Sequence, residues 1–182
     1  MLNTYDSIVL VIDIQEKLTN MLEDDVCRQI TEKSQKLVAA AKTLGLNVIV
    51  TEQYPKGLGQ TIQGIRDALL ENYVPYEKTA FNALLENNLL GNIKGHNKKQ
   101  VVICGIESHI CVLQTALGLL NEGYEVFVVK DICASRKKSE FKCAMELLRQ
   151  EGAKICTLEM VLFAWLKGAK NPCFKEVQAL IK

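Results

Sequence analysis

The sequence predicts an α/β fold: a six-stranded parallel sheet covered by helices on both faces. Three observations lead there. Short β-branched apolar runs alternate with longer segments whose apolar residues recur at three and four positions. The strand runs are apolar throughout instead of alternating, as in strands buried on both faces. Glycine or proline punctuates most junctions. Six rounds of strand and helix fall short of the eight that a closed barrel of this type needs. The 182 residues, 48% hydrophobic and 24% charged, suit a single domain spanning 1–182 with a substantial core.

The first strand is Ser7 to Ile12, ending at Asp13. Asp24 to Leu44 comes next as a helix, with Val26, Ile30, Leu37, Ala41 and Leu44 on one face and Gly45 as its stop. Asn47 to Thr51 is the second strand, and Glu52 to Gly59 reads as a loop from its proline and glycines. Thr61 to Glu71 is helical, with Ile62, Ile65 and Leu69 inward. Val74 to Glu77 is the third strand, weakened by Pro75, which cannot donate to a ladder. Phe81 to Leu90 is a short helix, and Gln100 to Cys104 is the fourth strand, stopping at Gly105. Ser108 then serves as the N-cap of a helix with Ile110, Leu113, Leu117 and Leu120 on its apolar stripe and Gly123 beyond its end. Glu125 to Lys130 is the fifth strand, Ser139 to Gln150 a helix, and Lys154 to Thr157 the sixth strand. Leu158 to Leu166 and Pro172 to Ile181 close the chain as helices.

Charge and cysteine usage exclude several classes of function. With 22 basic and 21 acidic residues, the net charge of +1 argues against a nucleic-acid-binding surface. Lys94, Lys98 and Lys99, beside Gly95, His96 and Asn97, read as a solvated loop. Seven cysteines, an odd number without C-x-x-C spacing, point to a reduced intracellular protein, neither a disulfide scaffold nor a zinc module. Two histidines supply histidine-based metal chemistry poorly. No apolar run approaches the roughly 18 residues of a membrane span, and Met1 to Ser7 lacks the basic region of a signal peptide. A cytoplasmic location is expected, with an organellar address left open.

In open parallel sheets, ligands bind beyond the carboxyl ends of the strands. Three chemistry-bearing residues come after strands: Asp13 after the first, Lys78 after the third and Cys111 in the turn after the fourth. A carboxylate that accepts a thiol proton, an ammonium that holds the carboxylate, and a sulfur that attacks would suit covalent catalysis at a carbonyl. Cys111 in a first helical turn is also where the helix dipole favours a thiolate. Each residue has a plainer reading as well: Asp13 with Glu16 fits a helix cap, Lys78 a solvated lysine, and Cys111 a small core residue.

The segments VLVIDIQEKL (Val9 to Leu18), VTEQYPKGLG (Val50 to Gly59), YEKTAF (Tyr76 to Phe81) and GIESHICVLQTALGLLNEGYEVFVVKDICASR (Gly105 to Arg136) resemble the isochorismatase-like cysteine hydrolase superfamily. The likeness is greatest to its small isochorismatase-domain-containing branch, and it extends through EMVLF (Glu159 to Phe163). The resemblance implies a three-layer α/β/α domain, a catalytic triad of Asp13, Lys78 and Cys111, and a non-proline cis peptide joining Ile106 to Glu107. It further implies an oxyanion hole formed by backbone N–H groups of Glu107 and Cys111, and a homo-oligomer, dimer or tetramer. The apolar helix bearing Leu162, Phe163, Trp165 and Leu166 offers surface for such association.

Two departures narrow the chemistry. Nicotinamidases of this superfamily carry a metal site around an Asp-x-His after the second strand; here that stretch reads Glu52, Gln53, Tyr54, so no metal and no nicotinamide substrate are expected. Isochorismatases proper lack the nucleophilic cysteine that Cys111 supplies. The expectation is a cofactor-free cysteine hydrolase of a small amide or related acyl compound, working through a thioester, with Gln53, Tyr54 and Phe81 lining the substrate pocket. Its partner would be a small-molecule substrate, with neither nucleic acid nor membrane. The alternatives are an interaction or scaffold protein with little turnover and a redox-sensing thiol protein.

Overall fold

Six strands buried on both faces need helices above and below, and the computed structural model, which describes residues 1–182, is built that way. In chain order the elements are β1 (Ser7–Ile12), α1 (Glu16–Thr19), α2 (Asp24–Thr43), β2 (Val48–Gln53), α3 (Pro55–Leu58), α4 (Gln63–Leu69), β3 (Tyr76–Lys78), α5 (Leu89–Gly95) and β4 (Gln100–Ile106). Then come α6 (Leu113–Asn121), β5 (Glu125–Ala134), α7 (Lys138–Gln150), β6 (Lys154–Cys156), α8 (Leu158–Leu166) and α9 (Phe174–Ala179). All strands are parallel, in the order β3-β2-β1-β4-β5-β6. Helices α2, α4, α8 and α9 pack together on one face, and α6 and α7 on the other, giving three layers. The strand order reverses between β1 and β4, the place where open α/β sheets leave a crevice at their carboxyl edge.

The differences from the sequence expectations have physical causes. β2 runs two residues beyond Thr51, because Glu52 and Gln53 pair with Glu77 and Lys78 of β3. β3 accordingly starts after Pro75, and Lys78 is its last residue instead of lying beyond it. Pro55 opens a helical turn where a loop was expected, as suits proline in a first turn. The segment expected to be a helix over Phe81 to Leu90 is a 3-10 turn at Ala83–Leu85 and then α5, which begins only at Leu89. Lys94 belongs to α5 and pairs with Glu122 at 2.7 Å, so that basic cluster is only partly a loop.

β5 continues four residues past Lys130 because it carries a bulge. Two steps along β4, from Ile103 to Gly105, are matched by five along β5, from Val128 to Cys133. The bulge is used: Asp131 within it accepts from Lys33 of α2 at 2.7 Å and from the N–H of Leu158 at 2.9 Å, tying two helices to the sheet. At the C-terminal end, Leu162, Trp165 and Leu166 of α8 are buried in the chain's own core, and the indole N–H donates to Ser7 Oγ at 3.3 Å. Only Met160 and Phe163 of that helix remain as exposed large apolar residues, so it closes the core instead of offering the interface expected of it. No helix is long and apolar enough to cross a membrane.

Candidate active site

At the carboxyl end of β1 the chain turns at Asp13 with φ of 51°, in the left-handed region that Asp tolerates better than most residues. The turn sends its side chain into the crevice, not onto a helix end: the carboxylate is fully buried and caps nothing. Oδ1 accepts from Thr51 Oγ1 at 2.6 Å, and Oδ2 accepts from Lys78 Nζ at 2.7 Å. Lys78 is also buried, with 4% of its surface exposed, and it spends its other two N–H bonds on Gln53 Oε1 at 2.6 Å and the Ala80 carbonyl at 3.3 Å. Desolvating two charges is costly unless their remaining donors and acceptors find partners, and these do. Behind the pair, fully buried Gln15 donates to the carbonyls of Gln53 at 3.0 Å and Gly59 at 2.7 Å and accepts from the Gln53 N–H at 2.8 Å.

The neighbouring turn is set by β4. Gly105 lies within that strand, not after it, with φ of 148°; a Cβ there would sit 2.0 Å from the carbonyl oxygen of Ile12. Only glycine allows β4 to approach β1 so closely at this edge. The peptide between Ile106 and Glu107 is cis. Glu107 anchors the turn that carries Cys111: its carbonyl accepts from Ile110 at 3.1 Å and Val112 at 3.2 Å, and its buried carboxylate accepts from the Arg136 N–H at 3.0 Å. Ser108 to Val112 form a π-helical turn before α6, so Cys111 is not in an α-helical first turn. Ser108 does not cap; its buried hydroxyl has no hydrogen-bond partner. The buried stripe is Val112, Thr115, Ala116 and Leu119 instead of the expected Ile110, Leu113, Leu117 and Leu120, all four of which are only partly buried. The π turn changes the phase of the helix after it.

Cys111 is 6% exposed and lies beside both members of the ion pair. Burial first, then the charge of Asp13, push its thiol up to about 12; the Lys78 ammonium pulls the other way without prevailing. The thiolate expected from the helix-start position is therefore not the resting form. The site at rest is a neutral thiol next to a carboxylate that is already paired. A carboxylate so placed can take the thiol proton as sulfur attacks, with the ammonium stabilising the charges that move.

The three residues from three strand ends thus converge, while the pocket-lining set is divided. Gln53 does not face an open pocket: its oxygen accepts from Lys78 and its Nε2 donates to the Thr79 carbonyl at 2.7 Å. Tyr54, at φ of 38°, and Phe81 are more than half exposed. Tyr54 borders a cavity of about 520 Å³ with Lys56, Glu77, Thr79, Glu86 and Asn87; Cys111 is not among its walls. Sequence reasoning missed Thr51, Gln15 and Glu86. Thr51 and Gln15 flank strand ends, a signal that could have raised them, whereas nothing local marks Glu86. The Glu52-Gln53-Tyr54 stretch does not fit a metal ion: Glu52 is buried and accepts from the Thr61 hydroxyl at 2.9 Å and from Tyr73, Gln53 is committed to Lys78, and no third ligating side chain is at hand.

Comparison with known proteins agrees with this architecture. The family model described as "Isochorismatase domain" matches residues 7–160. Isochorismatase domain-containing protein 2 of Xenopus laevis is 38% identical over 177 residues, covering 96% of this chain and 83% of that protein. A secreted isochorismatase effector, Isc1, of Phytophthora sojae is 36% identical, covering 98% and 85%. The solved structure of the MAR1 ribonuclease of Caenorhabditis elegans matches with a TM-score of 0.92 at 37% identity, over 99% of this chain and 91% of that one.

Proposed function

The chain belongs to the isochorismatase-domain family, and on that premise we propose that it is a cysteine-dependent hydrolase of small amides or related acyl compounds. The single observation that carries the reading is the buried Asp13–Lys78 ion pair beside the Cys111 thiol. Asp13 takes the thiol proton as the sulfur adds to the substrate carbonyl, and the backbone N–H groups of Glu107 and Cys111 receive the developing oxyanion. The C–N bond breaks as Asp13 passes the proton to the departing amine or ammonia, leaving a thioester on Cys111. Water then gives a proton to Asp13 and attacks the thioester. The acid leaves and the thiol regains its proton, so one amide and one water become one acid and one amine. Lys78 stays charged throughout and offsets the negative charge that moves between Asp13 and the oxyanion. Tyr54 and Phe81, both more than half exposed, are the side chains proposed to meet a small substrate.

Under this proposal the protein acts in the cytoplasm, as its cysteine usage suggests, and as a homo-oligomer, dimer or tetramer, as the family resemblance implies. Cell fractionation and light scattering check the two points. For the chemistry, a panel of small amides, with a short RNA added because of the name of the Caenorhabditis elegans relative, is incubated with the protein. Amine release, together with an acyl adduct on Cys111 seen by intact mass, is the expected result. Cleavage of RNA with every amide untouched would replace this reading.

A further inference from the structure

Beyond the three residues named for the reaction, the Asp13–Lys78 pair depends on a segment that the sheet itself does not hold. Two of the three Lys78 N–H bonds go to Asp13 and Gln53, and the third goes to the Ala80 carbonyl at 3.3 Å. Ala80 lies just past the end of β3, the edge strand, where no ladder fixes the backbone. From inside, Gln53 Nε2 donates to the Thr79 carbonyl at 2.7 Å. From outside, the carboxylate of Glu86 accepts three hydrogen bonds: Thr79 N–H at 2.5 Å and Ala80 N–H at 3.0 Å on Oε2, and the Thr79 hydroxyl at 2.7 Å on Oε1. These bonds hold the Glu86 carboxyl below its ordinary range, so the clamp is fully charged at neutral pH. The strap from Thr79 to Glu86 is tied at its middle to the element after Cys111, since Ala83 N–H donates to Thr115 Oγ1 at 3.0 Å.

We propose that Glu86 is a positioning residue for the ion pair: it fixes the Thr79–Ala80 backbone so that the Ala80 carbonyl and Gln53 together aim the Lys78 ammonium at Asp13. This inference rests on the proposed role of Lys78 beside Cys111. Without the Glu86 carboxylate, Thr79 and Ala80 lose three bonds at a surface where water replaces them, so folding changes little, but the Lys78 ammonium loses its third anchor. Asp13 is then less well offset, and Cys111 gives up its proton less readily.

The test is the rate of Cys111 alkylation by iodoacetamide against pH, read peptide by peptide by mass spectrometry in the full chain. Wild type is compared with Glu86→Ala, Glu86→Gln, Glu86→Asp and, as the reference for a disturbed ammonium, Lys78→Gln. Glu86→Ala and Glu86→Gln are expected to slow Cys111 alkylation on the order of threefold to tenfold at each pH from 7 to 9. Glu86→Asp, which retains the carboxylate, should recover part of it although Gln is the closer match in size. Exposed Cys143 and the urea midpoint should hold still, which a merely structural role would not give. If Lys78→Gln moves the profile and the Glu86 variants do not, the Glu86 assignment is wrong while the reading of Lys78 stands. If Lys78→Gln also leaves it in place, the role of Lys78 fails, and this inference with it.

Discussion

Buried thiols lie within the sheet and just beyond its carboxyl edge, and the two groups differ in one respect. Cys104 in β4, Cys133 in β5 and Cys156 in β6 are enclosed by the apolar core; Cys111 lies one turn beyond the carboxyl end of β4. Burial is the first cause of a raised pKa in all four, and it brings Cys111, Cys133 and Cys156 to about 12 alike. What separates them is the second cause. For the core thiols it is a backbone bond, another thiol or Asp131; for Cys111 it is Asp13, with Lys78 opposing. Resting acidity therefore does not set Cys111 apart. Its neighbour Asp13 does, because in the proposed reaction that carboxylate can accept the proton during attack without any thiolate standing beforehand.

Removing each group's defining atom should break the comparison most sharply. Cys111→Ala is expected to abolish amide hydrolysis and acyl-adduct formation, while Cys156→Ala retains both; steady-state amine release checks this. The next largest effect falls on the base. Asp13→Asn should lower kcat by roughly 10²–10⁴-fold, the usual contribution of a positioned general base. Asp13→Ala, which leaves Lys78 buried and unpaired, should cost about 3–5 kcal/mol of stability as measured by urea unfolding.

How far this contrast is legible in the sequence depends on what fixes each element. β1, α2 and α8, and the start of β4, can be read because their apolar residues are set by local pattern, whereas Gly105, expected to stop β4, lies inside it. Asp13, Lys78 and Cys111 are reachable because a parallel sheet sends strand ends to one edge. The true reach of β2 and β5 is not, since pairing with β3 and the bulge at Asp131 are decided by neighbours far along the chain. Nor is the acidity of Cys111: the helix-start argument counts a dipole, but the desolvation that outweighs it depends on tertiary burial. The π turn shifts the phase of α6 and leaves the Ser108 hydroxyl unpaired, neither of which has a sequence period of its own.

A smaller effect treats the two groups together and sharpens what they share. Because the folded pKa of Cys111, Cys133 and Cys156 is raised from 9.0 to about 12, their contribution to stability is complete below pH 9 and is lost as pH rises toward 12. Urea midpoints should fall between pH 9 and pH 11, and replacing Cys156 by Ala should flatten that fall. The smallest effect concerns Ser108. Its buried hydroxyl has no partner, so Ser108→Ala should leave stability unchanged or raise it by up to about 1–3 kcal/mol in urea unfolding, whereas a clear loss would reveal a partner for that hydroxyl.

The central claim is that Asp13 and Lys78 set one buried thiol apart from three others of similar burial. A time course of iodoacetamide labelling near neutral pH, resolved by cysteine, tests it most directly, with exposed Cys143 as the reference for an ordinary thiol. The account predicts that Cys111 is alkylated well ahead of Cys104, Cys133 and Cys156, and that Asp13→Asn removes this lead. If Cys111 reacts no faster than those three in the folded protein, or keeps its lead without Asp13, the claim is contradicted.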